Sequence, residues 1–368
     1  MTISRGCEAD ALPAPDGYAA PRAQSAIRPE QAAVPLLAMA LAVAALGSLC
    51  IGVYPVPPGT VARILAGLCL PEALRPAADW THAQLAVVQV IRLPRVLLSV
   101  LAGAGLGLSG ATLQGTMRNP LVGPDLLGIS SGAACGGILA ILLDWPDWGL
   151  LAAAFAGGFL ALLGAWLLAG LSRAGGVLPL ILAGMAVAAF FTAVHGFIQY
   201  TADPENKLPA MVYWLIGSFS AASAHKVAIL APPVLGAGGL LLLLRWRINL
   251  LSLGDLDAAA LGVRIGGLRW TVVALVSLIV AAQVAVCGII GWVGLIVPHV
   301  ARMLAGPDHR RLLPAAALTG ALLLLGIDDV ARTLLPQEVP IGILTAGIGT
   351  PFFMLLFWRT QGRGWNDA

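Results

Sequence analysis

From Ala33 onward, apolar runs of membrane length alternate with short breaks built from Gly, Pro, Arg and Asp. A helix needs roughly 20 apolar residues to cross a bilayer core. Ten runs meet or approach that length: 33–54, 94–116, 126–143, 149–171, 178–200, 226–246, 267–287, 288–305, 312–333 and 341–358. They predict an all-α membrane protein with ten transmembrane helices. Residues 267–305 must turn, because a single helix there would run about 58 Å, or two bilayer cores. Cys287-Gly288 and Gly291 offer the place. Residues 1–32 are rich in Pro and Ala, mixed in charge and without periodicity, and they read as a disordered cytoplasmic tail. Residues 33–358 form the membrane domain, and 359–368 a second cytoplasmic tail.

Composition removes the soluble alternatives. Of 368 residues, 59% are hydrophobic and only 11% charged, against about 25% charged in a soluble domain. The mean hydropathy is +0.89. Glycine is abundant at 44 residues, which suits helices that pack backbone to backbone in lipid. A net charge of +3 carries no nucleic-acid signature, but the placement of the charges is informative. With the N-terminus inside, about two thirds of the 21 Lys and Arg residues fall on the cytoplasmic side, as the positive-inside rule requires. Ten spans with both termini inside keep that bias, and an odd number destroys it. The five cysteines show no C-x-x-C spacing and read as small buried hydrophobes rather than metal ligands or disulfides.

Four stretches carry the candidate chemistry. Residues 92–132 place Arg92 and Arg95 ahead of a glycine-studded run, then a tight polar break, Arg118-Asn119-Pro120. Residues 250–264 form the longest internal loop, in which Gly254 begins and Gly262 ends a short amphipathic helix. That helix has three readings: lying in the lipid interface, capping the bundle, or docking into a groove on a partner. Residues 288–314 carry Pro298, His299, Arg302, Asp308 and His309, which read as internal-face charges and helix caps rather than a zinc site. Residues 326–353 place Asp328, Asp329 and Arg332 at the outer end of a span. Asp328 and Arg332 stand i,i+4 in the favourable order for an ion pair, or Arg332 awaits a partner's carboxylate. His195 reads as a satisfied interior histidine. No G-x-x-x-x-G-K-[ST] phosphate loop exists, so any ATP used must bind another subunit. No nucleophile or metal cluster supports a membrane enzyme. An ion-driven carrier would place a titratable group deep in a span, whereas Asp328 and Asp329 sit near an end.

RLPR (92–95), SGATLQGTMRNPLVGPDLLGISSGA (109–133), LILAG (180–184), YWLIGSF (213–219), LGDLDAAALGV (253–263), GWVGLIVPHVAR (291–302), DHRRLLP (308–314) and EVPIGILTAGIGTPFF (338–353) occur in this order. Together they resemble the membrane-spanning permease of ABC importers for iron–siderophore complexes, haem and vitamin B12. The resemblance covers residues 92–353. It implies a homodimer in the bacterial inner membrane, two cytoplasmic ATPase subunits that bind ATP and Mg, no cofactor on this chain, and an external substrate-binding protein. It implies that Arg92, Arg95 and Arg332 receive carboxylates of that binding protein. It implies a cytoplasmic gate at Asn119 and Leu121, with a second constriction at Gly176, Val177 and Leu178. The small hydroxyl residues expected of a B12 permease are missing there. Finally, it implies that Leu253, Gly254, Asp255, Leu256, Ala259, Leu261 and Gly262 couple to the ATPase. Ferric siderophore is the first cargo on family breadth, haem the second, with B12 or an oxyanion such as molybdate behind.

Overall fold

The computed structural model describes residues 29–361 apart from 72, 73, 76, 78 and 173–176. Of the expected tails, 1–32 and 359–368, residues 1–28 and 362–368 lie outside the described residues, while 29–32 and 359–361 are helical and belong to the first and last helices, which corrects the boundaries. Among these residues every regular element is helical. In chain order they are α1 (Pro29–Cys50), α2 (Pro58–Cys69), α3 (His82–Ala86), α4 (Leu93–Met117), α5 (Ile129–Leu142), α6 (Asp147–Leu171), α7 (Leu178–Thr201), α8 (Lys207–Leu215), α9 (Ala224–Leu243), α10 (Arg245–Leu251), α11 (Asp255–Ala260), α12 (Ile265–Cys287), α13 (Val293–Ala305), α14 (His309–Ala331) and α15 (Ile341–Gln361).

Each of the ten apolar runs forms a helix. Among the described residues seven helices are long and apolar enough to cross a membrane, Ile129–Leu142 and Val293–Ala305 are shorter apolar helices, and α15 is apolar over Ile341–Leu355 of its 21 residues. The 13 residues of α13 cover about 20 Å, less than the ~30 Å hydrocarbon core. The expected span over 288–305 therefore needs correction, since residues 288–292 are not helical. The expected turn is where the glycine placed it: α12 ends at Cys287, and Gly288 follows at φ 72°. The span expected from 94 also begins earlier. Thr81 and Gln84 close a capping box around the start of α3, which satisfies two N-terminal amide groups. From there α3 passes through a π-helical segment, Val87–Arg92, into α4.

Helices α4 and α12 form the interior. The most apolar window of α12 is 72% buried, against 17% for α1 on the outside. Helix α4 packs on α14, α13, α9 and α12, and α5 packs between α6 and α7. Glycine makes the closest approaches. A Cβ on Gly103 would collide with the Gly320 carbonyl, and one on Gly107 with the Ala316 carbonyl. These positions repeat every four residues, so one face of α4 meets one face of α14 nearly backbone to backbone. Pro298 leaves the Gly294 carbonyl without its helical donor, and that carbonyl abuts Gly110 of α4.

Three helix breaks meet inside the bundle. Ser218 N–H donates to the Cys287 carbonyl at 2.9 Å, Ile341 N–H to the Gly217 carbonyl at 3.0 Å, and Gly342 N–H to the Ile216 carbonyl at 3.1 Å. The Gln283 amide closes on the Gly288 carbonyl at 3.0 Å. Non-helical backbone survives within an apolar bundle when its polar groups are satisfied in this way.

Candidate docking, gate and coupling sites

The two ends of α4 hold different machinery. From Arg95 to Met117 the helix climbs about 33 Å, enough to carry one site to each side of a bilayer core.

At the first end the three arginines cluster, but they are not presented at the surface. All three are buried within the subunit. Arg92 donates to the Leu49 carbonyl at 2.9 Å and to the Tyr54 carbonyl. Arg332 donates to the Ser48 carbonyl at 2.8 Å, to the Ser48 hydroxyl at 2.6 Å and to Asp329. Ser48 and Leu49 lie in the last turn of α1, whose carbonyls have no helical donors and carry the negative end of the helix dipole. Two arginines thus cap α1. Gly52 makes room for them, since any Cβ there would lie 2.7 Å from Arg92 Nη2.

Arg95 is held by carboxylates. Its Nε and Nη2 donate to Asp328 at 2.9–3.1 Å, and its Nη1 to Glu338 at 2.7 Å. The expected i,i+4 pair of Asp328 with Arg332 is corrected as well. Asp328 turns to Arg95 on the neighbouring helix, and Arg332 pairs with Asp329, three residues before it. In the packed bundle α4 lies against α14, so the bidentate Arg95 fork outcompetes a single local contact. Sequence reasoning missed Asp328 and Glu338 as partners of Arg95. They stand 233 and 243 residues away, where no periodicity reaches.

At the other end, Arg118 takes a left-handed conformation at φ 49° and closes α4. The Asn119 side chain accepts the Leu121 N–H at 2.9 Å, a turn that Asn forms readily. Asn119 is half-buried and Leu121 exposed, and at the start of α7 Val177 is half-buried and Leu178 exposed. Gly176 lies outside the described residues. The two expected constrictions share a neighbour, the turn Pro124–Leu127. A Cβ on Gly128, at φ 76°, would come within 2.9 Å of the Gly184 carbonyl in α7. One turn before the end of α4, Arg302 donates to Gln114 at 2.9 Å, and the Gln114 amide donates to the Leu295 carbonyl at 3.3 Å. These bonds fasten α13 to α4.

The expected short helix is present as α11, bounded by Gly254 at φ 137° and Gly262 at φ 80°. Val263 N–H donates to the Ala258 carbonyl and Gly262 N–H to the Ala259 carbonyl, which is the Schellman closure that a left-handed glycine permits. Asp255 pairs with Arg269 of α12 at 3.0 Å, and Ala258 is buried, so the helix is anchored. Its outer face is not covered. Leu256 is 88% exposed, and Leu253, Ala259, Leu261 and Gly262 are exposed with it. Beside it opens a cleft of 730 Å³ lined by Arg247, Leu250, Leu261 and Arg264. The turn that closes α4 touches this helix, for Arg118 Nη1 lies 3.3 Å from where a Cβ on Gly254 would stand.

Residues 40–359 match the FecCD transport family. The chain belongs to that family. It is a FecCD permease, a multi-pass membrane subunit of an ABC importer and a transport component rather than an enzyme. It is 42% identical over 331 residues to the molybdate import system permease of Haemophilus influenzae, covering 90% of this chain and 96% of that one. To the hemin transport system permease of Yersinia pestis it is 42% identical over 280 residues, covering 74% and 83%. To the vitamin B12 import system permease of Klebsiella pneumoniae it is 38% identical over 314 residues, covering 82% and 91%. Among solved structures, the FecCD permease superposes with a TM-score of 0.79 and 42% identity on an ABC transporter assigned to the metal-chelate type, in an inward-facing conformation. That match covers 89% of this chain and 98% of the other.

Proposed function

We propose that two copies of this permease form the substrate path of an ATP-driven importer in the bacterial inner membrane, each crossing ten times with both termini inside. An external substrate-binding protein delivers cargo at the arginine cluster. Two cytoplasmic ATPase subunits grip the segment 250–264 and drive the gate at Asn119, Leu121, Val177 and Leu178. The observation that carries this reading is the anchored helix α11 with Leu256 almost fully exposed. A soluble apolar side chain held out on a rigid, doubly glycine-bounded helix is a docking knob, and its base touches the gate through Arg118 and Gly254.

For cargo we infer a metal carried as an anion or chelate. Molybdate moves ahead of ferric siderophore and haem, because similarity to the molybdate permease extends over 96% of that protein, against 83% for the hemin permease. Proteoliposomes holding the permease, its ATPase and its binding protein test both parts. ATP-dependent uptake of radiolabelled molybdate, exceeding that of a labelled ferric siderophore or haem, is expected. Preference for either iron compound would reverse the cargo order. Uptake that needs a proton gradient and no ATPase would refute the importer reading.

A further inference from the structure

The three arginines are not held alike. Arg92 and Arg332 cap α1 through carbonyls inside the subunit. Arg332 also pairs with Asp329, and Arg95 is the one of the three held between two carboxylates, one buried and one accessible. Asp328 is fully buried and binds the Nε–Nη2 edge of the guanidinium, whereas Glu338 is 38% exposed and binds only Nη1. A buried pair cannot be opened cheaply, because one charge is left uncompensated. A pair open to water is worth little and exchanges readily. The charges also balance: Arg92, Arg95 and Arg332 stand against Asp328, Asp329 and Glu338, so the patch as built is neutral and attracts no acidic partner from a distance.

We propose that Glu338 is a displaceable internal stand-in for a carboxylate of the external binding protein. It occupies Arg95 Nη1 until the incoming acid replaces it, while Asp328 stays bound and holds the guanidinium in place. The proposal rests on the docking reading above and adds its regulation. Displacement has somewhere to go. Glu338 sits on the loop 332–340, returned to the bundle by Val339 N–H on the Ala331 carbonyl at 3.1 Å. Three residues later, Ile341 N–H binds the Gly217 carbonyl at the point where the helix breaks meet. Docking that pulls Glu338 away therefore loosens the start of α15.

The test is binding of the permease's own soluble substrate-binding protein to the full transporter in lipid nanodiscs. Glu338→Gln should bind about three- to fivefold tighter, mainly through a faster on-rate, with the gain shrinking in high salt. Glu338→Asp keeps the charge and should bring no gain. Arg95→Ala made together with Asp328→Ala, so that no lone charge is buried, should weaken binding. If that double variant weakens binding but Glu338→Gln is unchanged or weaker, docking at Arg95 stands and the exchange is overturned. A gain from Glu338→Asp equal to that from Glu338→Gln would trace the effect to loop packing and also overturn it. If the double variant binds like the wild type, the docking reading itself fails at Arg95.

Discussion

At the residue scale, burial decides which charges can be altered. Asp328 has no exposure to solvent and holds Arg95 along its Nε–Nη2 edge. Asp328→Asn leaves that side of the guanidinium without a counter-charge, at a cost of about 3 kcal/mol. The expected outcome is a clearly lower thermal midpoint in detergent, largely restored when Arg95→Met and Asp328→Leu are combined. Asp308 is the contrasting case. It caps α14, accepting Arg310 N–H at 3.0 Å and the Arg310 guanidinium at 2.9 Å. The hydrogen bond from the Arg310 side chain holds its carboxyl below the usual range. A depressed carboxylate contributes stability that is present above its unfolded pKa of about 3.9 and is lost as pH falls through the folded value. Asp308→Ala should therefore cost about 1 kcal/mol, and the penalty should be the same at pH 6 and pH 8 when thermal unfolding is compared. The sequence marked Asp308 as a helix-end charge because capping is local. It mispaired Asp328 because the competing partner arrives from another helix.

At the element scale, contact between helices rests on missing side chains. Gly103 and Gly107 lie against Gly320 and Ala316. Gly103→Val would force α14 off α4, an overpacking cost of about 1–3 kcal/mol. Gly47 in α1 has open space around it, so Gly47→Ala should be near neutral. A thermal midpoint lowered in the first variant and unchanged in the second is the expected pair of results. Helix α11 was legible from its bounding glycines, since they act on their own backbone. The non-helical stretch 288–292 was not, because its carbonyls and amides find partners only when the breaks at 216–218 and 341–342 come alongside. The π-helical segment Val87–Arg92 also left no trace in the apolar pattern. Its visible consequence is to bring Arg92 to the end of α1, where the last carbonyls need donors.

At the scale of the whole molecule, α4 joins the arginine end to the Arg118–Leu121 turn, and in the proposed importer the exposed face of α11 is the handle. Replacing Leu256 and Ala259 with Asp should cost about 2 kcal/mol or more in association with the ATPase, roughly thirtyfold. Co-purification and uptake should both fall while the permease still elutes as a folded species, and unchanged co-purification would remove α11 from the interface. The number of apolar runs, the turn after Cys287 and the glycine-bounded helix before Gly262 were all settled along the chain. Each depends on length, local backbone geometry or the cost of burying charge, which act between near neighbours in sequence. Which arginine meets which carboxylate, how Arg118 comes to lie against Gly254, and where three broken helices share hydrogen bonds were settled by folding. These helices are apolar on nearly every side, because lipid and protein interior accept the same residues. Periodicity therefore cannot tell an inward face from an outward one, and only packing chooses the neighbours.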